Sequence, residues 1–116
     1  MASLADLQEE VEPAEVAALH ERGEIELVDV REPYEHEAGR IAGARHVPLA
    51  QLTQEAGSFD RDRPLVFYCR VGSRSAMASQ AFRASGYRAF NMAGGLVAWT
   101  AQDLPLEPDG GSVAPH

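Results

Sequence analysis

The sequence of 116 residues predicts an α/β fold, a three-layer sandwich in which helices cover both faces of a parallel sheet of about five strands. The main observation is that short apolar runs alternate along the chain with segments rich in helix-forming residues. A second observation is the run Leu65–Tyr68, which follows Pro64, because four apolar residues in a row suit a strand buried on both faces. The chain length allows a modest hydrophobic core, which predicts one domain.

The first half of the chain predicts short helices that alternate with short strands. A helix is predicted over residues 13–22, because proline is favoured in a first turn and a glycine follows the last one. The apolar run at residues 25–30 predicts a strand. A second helix, over residues 33–38, starts at a proline and stops at a glycine. A short strand at residues 45–47 is stopped by a proline, and residues 49–56 predict another short helix.

The second half continues the same alternation. The strand at residues 65–68 is followed by a helix that starts at Ser75 and ends near Gly86. A further strand at residues 87–91 leads through a glycine turn into a helix over residues 96–102. Met77, Ala78, Ala81 and Phe82 fall on one face of the Ser75 helix, which is the pattern of a helix that packs on a core.

These elements divide the chain into a domain and two ends. Residues 1–7 are predicted to be a flexible N-terminus, residues 8–106 the folded domain, and residues 107–116, which are rich in glycine and proline, a disordered tail. The chain has no long apolar span and no signal peptide, so we expect a cytoplasmic monomer that does not bind membranes. No patch that would bind nucleic acid is found beyond the basic loop described next.

Cys69, the single cysteine of the chain, is the candidate catalytic residue. It stands between a predicted strand and a predicted helix, and ligands bind at this position in open α/β sheets. The N–H groups and partial charge of a helix N-terminus favour an anion, and they favour a thiolate over a thiol. Arg70 and Arg74 add positive charge, and Gly72 lets the backbone curl so that its N–H groups point inward.

The charge distribution supports a site for small anions around this cysteine. The chain has a net charge of -8, and 12 of its 18 acidic residues lie within the first 40 positions. From Arg63 to Gln102, with both ends included, there are five arginines and no acidic residue. The alternative is that Cys69 is a buried structural cysteine, as free cysteines commonly are. A structural cysteine does not need two arginines and a glycine directly after it.

Two other pairs of polar residues have a structural and a functional interpretation. Asp29 and Arg31 stand at the end of a predicted strand, where they either orient the active loop or form an ion pair that fixes the corner between strand and helix. We favour the ion pair. His36 and His46 are predicted to be structural or solvated, because two histidines without further ligands are a weak signal for a metal. We therefore predict no metal site.

Four segments of the chain resemble the rhodanese family of sulfurtransferases, and the resemblance extends over residues 8–106. They are Asp29–Glu35, Gly39–Pro48, the loop Cys69–Arg74, and Gly94–Trp99. Arg40 departs from the pattern, because the family usually has histidine there. That position is expected to be structural, so the departure should have little effect on function.

The resemblance implies an activity and the residues that perform it. Cys69 would attack the outer sulfur of an anionic donor such as thiosulfate, release sulfite and hold the sulfur as a persulfide. Cyanide or a thiol would then accept the sulfur, and no cofactor is implied. The residues implied to bind substrate in the active loop are Arg70, Val71, Gly72, Ser73, Arg74 and Ser75.

Two other functions stay open. Cysteine phosphatases and arsenate reductases on the same fold place five residues between cysteine and arginine, whereas four separate Cys69 from Arg74 here. A phosphatase would need arginine where Ser75 stands. The other possibility is a module without catalytic activity that binds a partner or senses stress. The presence of Cys69 and both arginines argues against that module.

Overall fold

The computed structural model describes residues 9–116, and it confirms the α/β fold. Five parallel strands form one sheet, and their bounds are β1 Glu10–Val11, β2 Glu26–Asp29, β3 Arg45–His46, β4 Leu65–Tyr68 and β5 Ala89–Met92. Their order across the sheet is β1-β5-β4-β2-β3. The predicted flexible N-terminus, residues 1–7, lies outside the described residues. Strand β1 was not predicted, because two residues paired with β5 leave no periodic pattern in the sequence.

Residues 9–116 also form five α-helices, of which four lie between consecutive strands and the fifth follows β5. They are α1 Pro13–Glu21, α2 Pro33–Ala38, α3 Leu52–Glu55, α4 Ser73–Ala84 and α5 Gly95–Ala101. The predicted helix over residues 49–56 contains α3, with a 3₁₀ turn on each side of it. Within residues 9–116, no helix is both long enough and apolar enough to cross a membrane.

The sheet has a hydrophobic core on each face, and β4 contributes to both. Val66 and Tyr68 point to the side covered by α1 and α5, while Leu65, Phe67 and Cys69 point to the side covered by α3 and α4. All five side chains are fully buried. This alternation follows from the period of two in a strand. It places the Cys69 side chain on the α4 side of the sheet, directly after the central strand.

The buried face of α4 differs from the predicted one. It consists of Ser75, Ala78, Ser79 and Phe82. Met77 and Ala81, which were expected to pack on the sheet, are exposed. The four buried positions still follow helical spacing, but two of them are serines. A prediction that searches for apolar residues alone therefore selects a face that is rotated relative to the true one.

Residues 107–116, for which the sequence predicts disorder, lie against the domain. Glu107 and Arg40 exchange two backbone hydrogen bonds of 2.7 and 2.9 Å, and the Ser112 N–H donates to the Ala38 carbonyl at 2.8 Å. The backbone of Ser112 approaches Gly39 so closely that a Cβ at residue 39 would collide with the Ser112 carbonyl oxygen. Such backbone contacts need no apolar pattern, so composition alone does not reveal them.

Candidate active site

Three hydrogen-bond donors converge on the sulfur of Cys69. The Gly72 N–H lies 3.1 Å from Sγ, the Ser75 N–H 3.5 Å, and the Ser75 hydroxyl 3.3 Å. Cys69 and Ser75 are both fully buried. Hydrogen bonds from donors stabilise negative charge on an acceptor, so this environment suits a sulfur anion.

Glycines at two positions allow this arrangement of the backbone. Gly72 has a φ of +99° and precedes the first residue of α4, so the loop turns there in the left-handed region that favours glycine. Gly95 begins α5, and a Cβ there would lie within 2.6 Å of the carbonyl oxygens of both Cys69 and Arg70. Those carbonyls accept hydrogen bonds from the N–H groups of Leu96 and Val97, at 2.9 and 3.0 Å. The N-terminus of α5 therefore supports the base of the active loop.

Asn91 supports the loop from β5. Its side-chain NH₂ donates to the Gly72 carbonyl at 3.1 Å and to the Glu10 carboxylate oxygens at 3.0 and 3.1 Å. Asn91 is buried, and its Oδ1 has no partner within residues 9–116. Sequence reasoning missed both Asn91 and Glu10. The only signal was an asparagine in a predicted strand, where this residue is uncommon.

Glu35 holds Arg74 in a buried ion pair. Two hydrogen bonds of 2.8 and 2.9 Å join the guanidinium to the carboxylate, whose side chain is completely buried. Burial alone would raise the pKa of Glu35, but the hydrogen bonds from Arg74 and from the Glu32 N–H, together with the charge of Arg74, hold the pKa below its ordinary value. The bonds to Glu35 in turn raise the pKa of Arg74. Arg74 was predicted as a loop cation, but its partner on α2 was missed.

The remaining loop residues do not contact the sulfur. Val71 and Ser73 are exposed. Arg70 is partly buried, and its guanidinium has no hydrogen-bond or ion-pair partner among the described residues. The Arg70 Nε in particular is buried without an acceptor. The structure thus distinguishes the two predicted loop cations, because Arg74 is paired and Arg70 is unpaired.

Asp29 and Arg31 form a buried ion pair beneath the loop. Arg31 donates to both carboxylate oxygens of Asp29, at 2.8 and 2.7 Å, and to the Gly39 carbonyl at 2.7 Å. The Tyr68 hydroxyl donates to the same carboxylate at 3.2 Å. Burial alone would raise the pKa of Asp29, but these contacts, above all those from Arg31, hold it below its ordinary value. The pair contacts α2 and the end of β4, and it makes no hydrogen bond to the active loop.

His36 and His46 stack on each other beside this ion pair. Their ring centroids are 4.1 Å apart and the ring planes differ by 7°. His36 Nδ1 contacts the Asp29 carboxylate at 2.9 Å, and His46 Nε2 contacts the Arg31 carbonyl at 2.8 Å. Both imidazoles therefore take part in the contacts that hold the ends of β2 and β3 together.

Most of the chain is similar in sequence and in fold to known proteins. The sequence profile of the rhodanese-like domain matches residues 12–102. The uncharacterized protein YqhL of Bacillus subtilis (strain 168) is 43% identical over 75 residues, which cover 64% of this chain and 60% of YqhL. The chain thus spans less than two thirds of YqhL.

Two further similarities extend over nearly the whole length of the other protein. The putative sulfurtransferase YtwF of the same Bacillus strain is 32% identical over 100 residues, which cover 83% of this chain and 97% of YtwF. The crystal structure of a rhodanese-related protein from Thermoplasma volcanium superposes with a TM-score of 0.79 at 25% identity, covering 85% of this chain and 97% of that one. Since the matched residues include strands β2 to β5, the loop after β4 and helix α5, the chain belongs to the rhodanese-like domain family.

Proposed function

We propose that this chain is a sulfurtransferase that takes a sulfur atom from a small anionic donor such as thiosulfate and holds it as a persulfide on Cys69. The observation that supports this most directly is the convergence of three donors on Cys69 Sγ, from Gly72 and Ser75. Such donors stabilise the thiolate that attacks and the same thiolate when it leaves again. The name of the relative YtwF supports the same class of activity.

In the first half-reaction, the Cys69 thiolate attacks the outer sulfur of thiosulfate. A bond forms between Sγ and that sulfur, the sulfur–sulfur bond of thiosulfate breaks, and its electron pair leaves with sulfite. In this proposal Arg70 binds the oxygens of thiosulfate. Its guanidinium has no hydrogen-bond or ion-pair partner within residues 9–116, whereas Arg74 is already bonded to Glu35. A guanidinium presents several N–H groups in one plane, which suits an oxyanion.

In the second half-reaction, cyanide or a thiolate attacks the outer sulfur of the persulfide. The bond between that sulfur and Sγ breaks, and its electron pair returns to Cys69 as the thiolate. The sulfur atom changes carrier, so neither half-reaction needs an external oxidant, a reductant or a cofactor. Asp29 and Arg31 take no part in these steps in this proposal, because their hydrogen bonds fix the end of β2.

Phosphate transfer is not favoured by the same geometry. A phosphatase loop directs its N–H groups at the oxygens of a phosphate that lies beyond the cysteine sulfur. Here the N–H groups of Gly72 and Ser75 are directed at Sγ itself. The spacing between Cys69 and Arg74 is also one residue shorter than in such enzymes.

The test is to incubate the protein with thiosulfate and measure its intact mass. We expect the mass to increase by one sulfur atom, and the increase to disappear when cyanide is added and thiocyanate forms. The Cys69→Ser variant should fold normally, gain no sulfur and form no thiocyanate. Thiocyanate formation by folded Cys69→Ser protein, or hydrolysis of an aryl phosphate by the wild type, would overturn the proposal.

A further inference from the structure

Four large apolar side chains within residues 9–116 are at least 40% exposed, and they are Tyr34 at 53%, Val71 at 50%, Met77 at 60% and Val97 at 40%. Single exposed apolar residues are common on protein surfaces and need no explanation. These four, however, all belong to the active loop or to a helix that is bonded to it or continuous with it, and we call them the apolar rim.

Two members of the apolar rim are joined to the loop through the backbone. Val71 belongs to the loop, two residues after Cys69. Val97 lies in the first turn of α5, and its N–H donates to the Arg70 carbonyl at 3.0 Å. The backbones of both residues are therefore held next to the Arg70 carbonyl.

The other two members lie around Arg74. Met77 follows Arg74 by three residues on α4, and residues at this spacing are neighbours on a helix surface. Tyr34 directly precedes Glu35, whose carboxylate binds the Arg74 guanidinium. The active loop and the three helices bonded to it or continuous with it therefore carry these exposed apolar side chains.

Small substrates do not account for this surface. Thiosulfate and cyanide are compact anions, which gain nothing from contact with a methionine or a valine side chain. Apolar patches on soluble proteins mark sites where another protein binds. We infer that the binding protein carries negative charge at this surface. The guanidinium of Arg70 has no hydrogen-bond or ion-pair partner within residues 9–116, and Arg70 lies in a stretch of 40 residues without acidic side chains.

We propose that the apolar rim is the docking surface for the sulfur acceptor, and that this acceptor is a protein. It would present a cysteine thiol on a segment that carries apolar side chains for the rim and a carboxylate for Arg70. This inference rests on the proposed sulfurtransferase activity and specifies its acceptor. Once sulfite has left, Arg70 is open again, so one guanidinium binds the donor and the acceptor in turn.

The transfer to such an acceptor is balanced. The acceptor's thiolate forms a bond to the outer sulfur of the Cys69 persulfide, the bond from that sulfur to Sγ breaks, and its electron pair returns to Cys69. The acceptor then holds the persulfide. The chain has one cysteine, so no second thiol of its own competes for the sulfur.

The test uses three short peptides as acceptors for protein loaded from thiosulfate. In the first peptide a cysteine is flanked by leucine and glutamate; in the second, serine replaces leucine; in the third, lysine replaces glutamate. We expect the first peptide to have a KM about threefold to tenfold lower than either of the others, as loss of a buried side-chain or charge contact implies.

The matched variants are Met77→Gln and Ala84→Gln, which place the same polar side chain at two exposed positions of α4. Met77→Gln should raise KM for the leucine peptide by about threefold to tenfold. Ala84→Gln should not change it, and both variants should form thiocyanate at the wild-type rate. Equal KM values for the three peptides, or equal effects of the two variants, would overturn the acceptor proposal. Failure of the wild type to form thiocyanate would instead overturn the sulfurtransferase activity.

Discussion

Ser75 gives two donors to a single sulfur atom. Its N–H and its hydroxyl lie 3.5 and 3.3 Å from Cys69 Sγ, and the side chain is completely buried. Hydrogen bonds are stronger where water is excluded, so a hydroxyl in this position is worth more than one on the surface. The hydroxyl can be removed without changing the N–H, which separates the two contributions.

We expect Ser75→Ala to lower kcat/KM for thiosulfate by about tenfold to a hundredfold, since a hydrogen bond to a charged group contributes about 1.5–3 kcal/mol. Ser79→Ala is the matched control, because Ser79 lies on the same buried face but its hydroxyl donates to the Ala76 carbonyl. Steady-state kinetics of both variants measure the difference. Equal losses would mean that activity follows the packing of α4 and not the contact with sulfur.

Glu35 makes stability depend on pH through its bond to Arg74. Burial alone would raise the pKa of Glu35, but in the folded state the hydrogen bonds from Arg74 and Glu32 and the charge of Arg74 together lower it. The unfolded state then binds more protons at acidic pH. The contribution of Glu35 is therefore complete above its unfolded pKa and is lost as the pH falls through the folded pKa.

We expect the free energy of unfolding to fall below about pH 4.3 in the wild type, and to fall less steeply in Glu35→Gln, which has no carboxyl group to protonate. At neutral pH the free energy of unfolding of the variant should be lower by up to about 3 kcal/mol, which is the low end of the range for a broken buried ion pair. The low end applies because the Arg74 side chain is 16% exposed, so water can solvate the guanidinium that has lost its partner. Urea denaturation at a series of pH values measures both effects. Parallel pH profiles would contradict the assignment to Glu35.

The active loop and the first turn of α4 act together at the scale of the element. The loop leaves β4 at Tyr68, and α4 begins at Ser73, so only four residues change the chain direction. The position of Ser75 relative to Cys69 then depends on the number of residues between them. One added residue would rotate the following helix positions by about 100° and advance them by about 1.5 Å.

We therefore expect insertion of one glycine between Ser73 and Arg74 to lower thiocyanate formation at least as much as Ser75→Ala does. The wild type and the insertion variant are to be compared on thiosulfate and on an aryl phosphate, since the longer loop has the spacing of a phosphatase. The control is a glycine inserted after Gly57, which is exposed and where an added Cβ would meet no other residue within 4 Å. Unchanged sulfur transfer in the loop variant would show that loop length is not decisive.

The positions of helices and strands could be predicted where the sequence signal lies within a few consecutive residues. Strand β4 and helix α2 have their predicted bounds, because an apolar run and a proline with a following glycine are signals within a few residues. The prediction of the buried face of α4 was wrong, because that face contains Ser75 and Ser79 as well as apolar residues. Burial of those serines depends on the elements that pack against α4, and the sequence of the helix alone does not specify these.

At the scale of the molecule, the site is held together by contacts between distant parts of the chain. Asn91 and Glu10 are 81 positions apart, and Arg74 and Glu35 are 39 apart. The loop itself was predictable because its residues are consecutive and its cysteine is unique. Its supporting residues were not, since pairing across such separations leaves no period or spacing in a single sequence.

Residues 107–116 are linked to the active site through helix α2. The segment is bonded to Arg40 and Ala38, and the Tyr34 hydroxyl donates to the Pro115 carbonyl at 3.1 Å. Tyr34 and Ala38 lie on α2, the helix that carries Glu35. The segment therefore holds the helix that in turn holds Arg74.

We expect deletion of residues 107–116 to lower Tm by about 4–8 °C for each kcal/mol of lost contact, as is usual for a domain of this size. Amide exchange should become faster in α2, and kcat should fall through the weaker hold on Arg74. A deletion from Ser112 onward, which keeps the bonds between Glu107 and Arg40, should have a smaller effect. Unchanged exchange in α2 would contradict this role of the segment.

The close approach of α5 to the active loop also determines how this domain can vary. Every side chain other than hydrogen at position 95 would overlap the Cys69 and Arg70 carbonyl oxygens, although the position lies outside the loop. In a library that carries all amino acids at each glycine, selection for sulfur transfer should recover only glycine at Gly95. Gly57 has open space around it and should accept any residue compatible with its turn. Substitution is thus restricted by backbone contact at a position that lies outside the active loop.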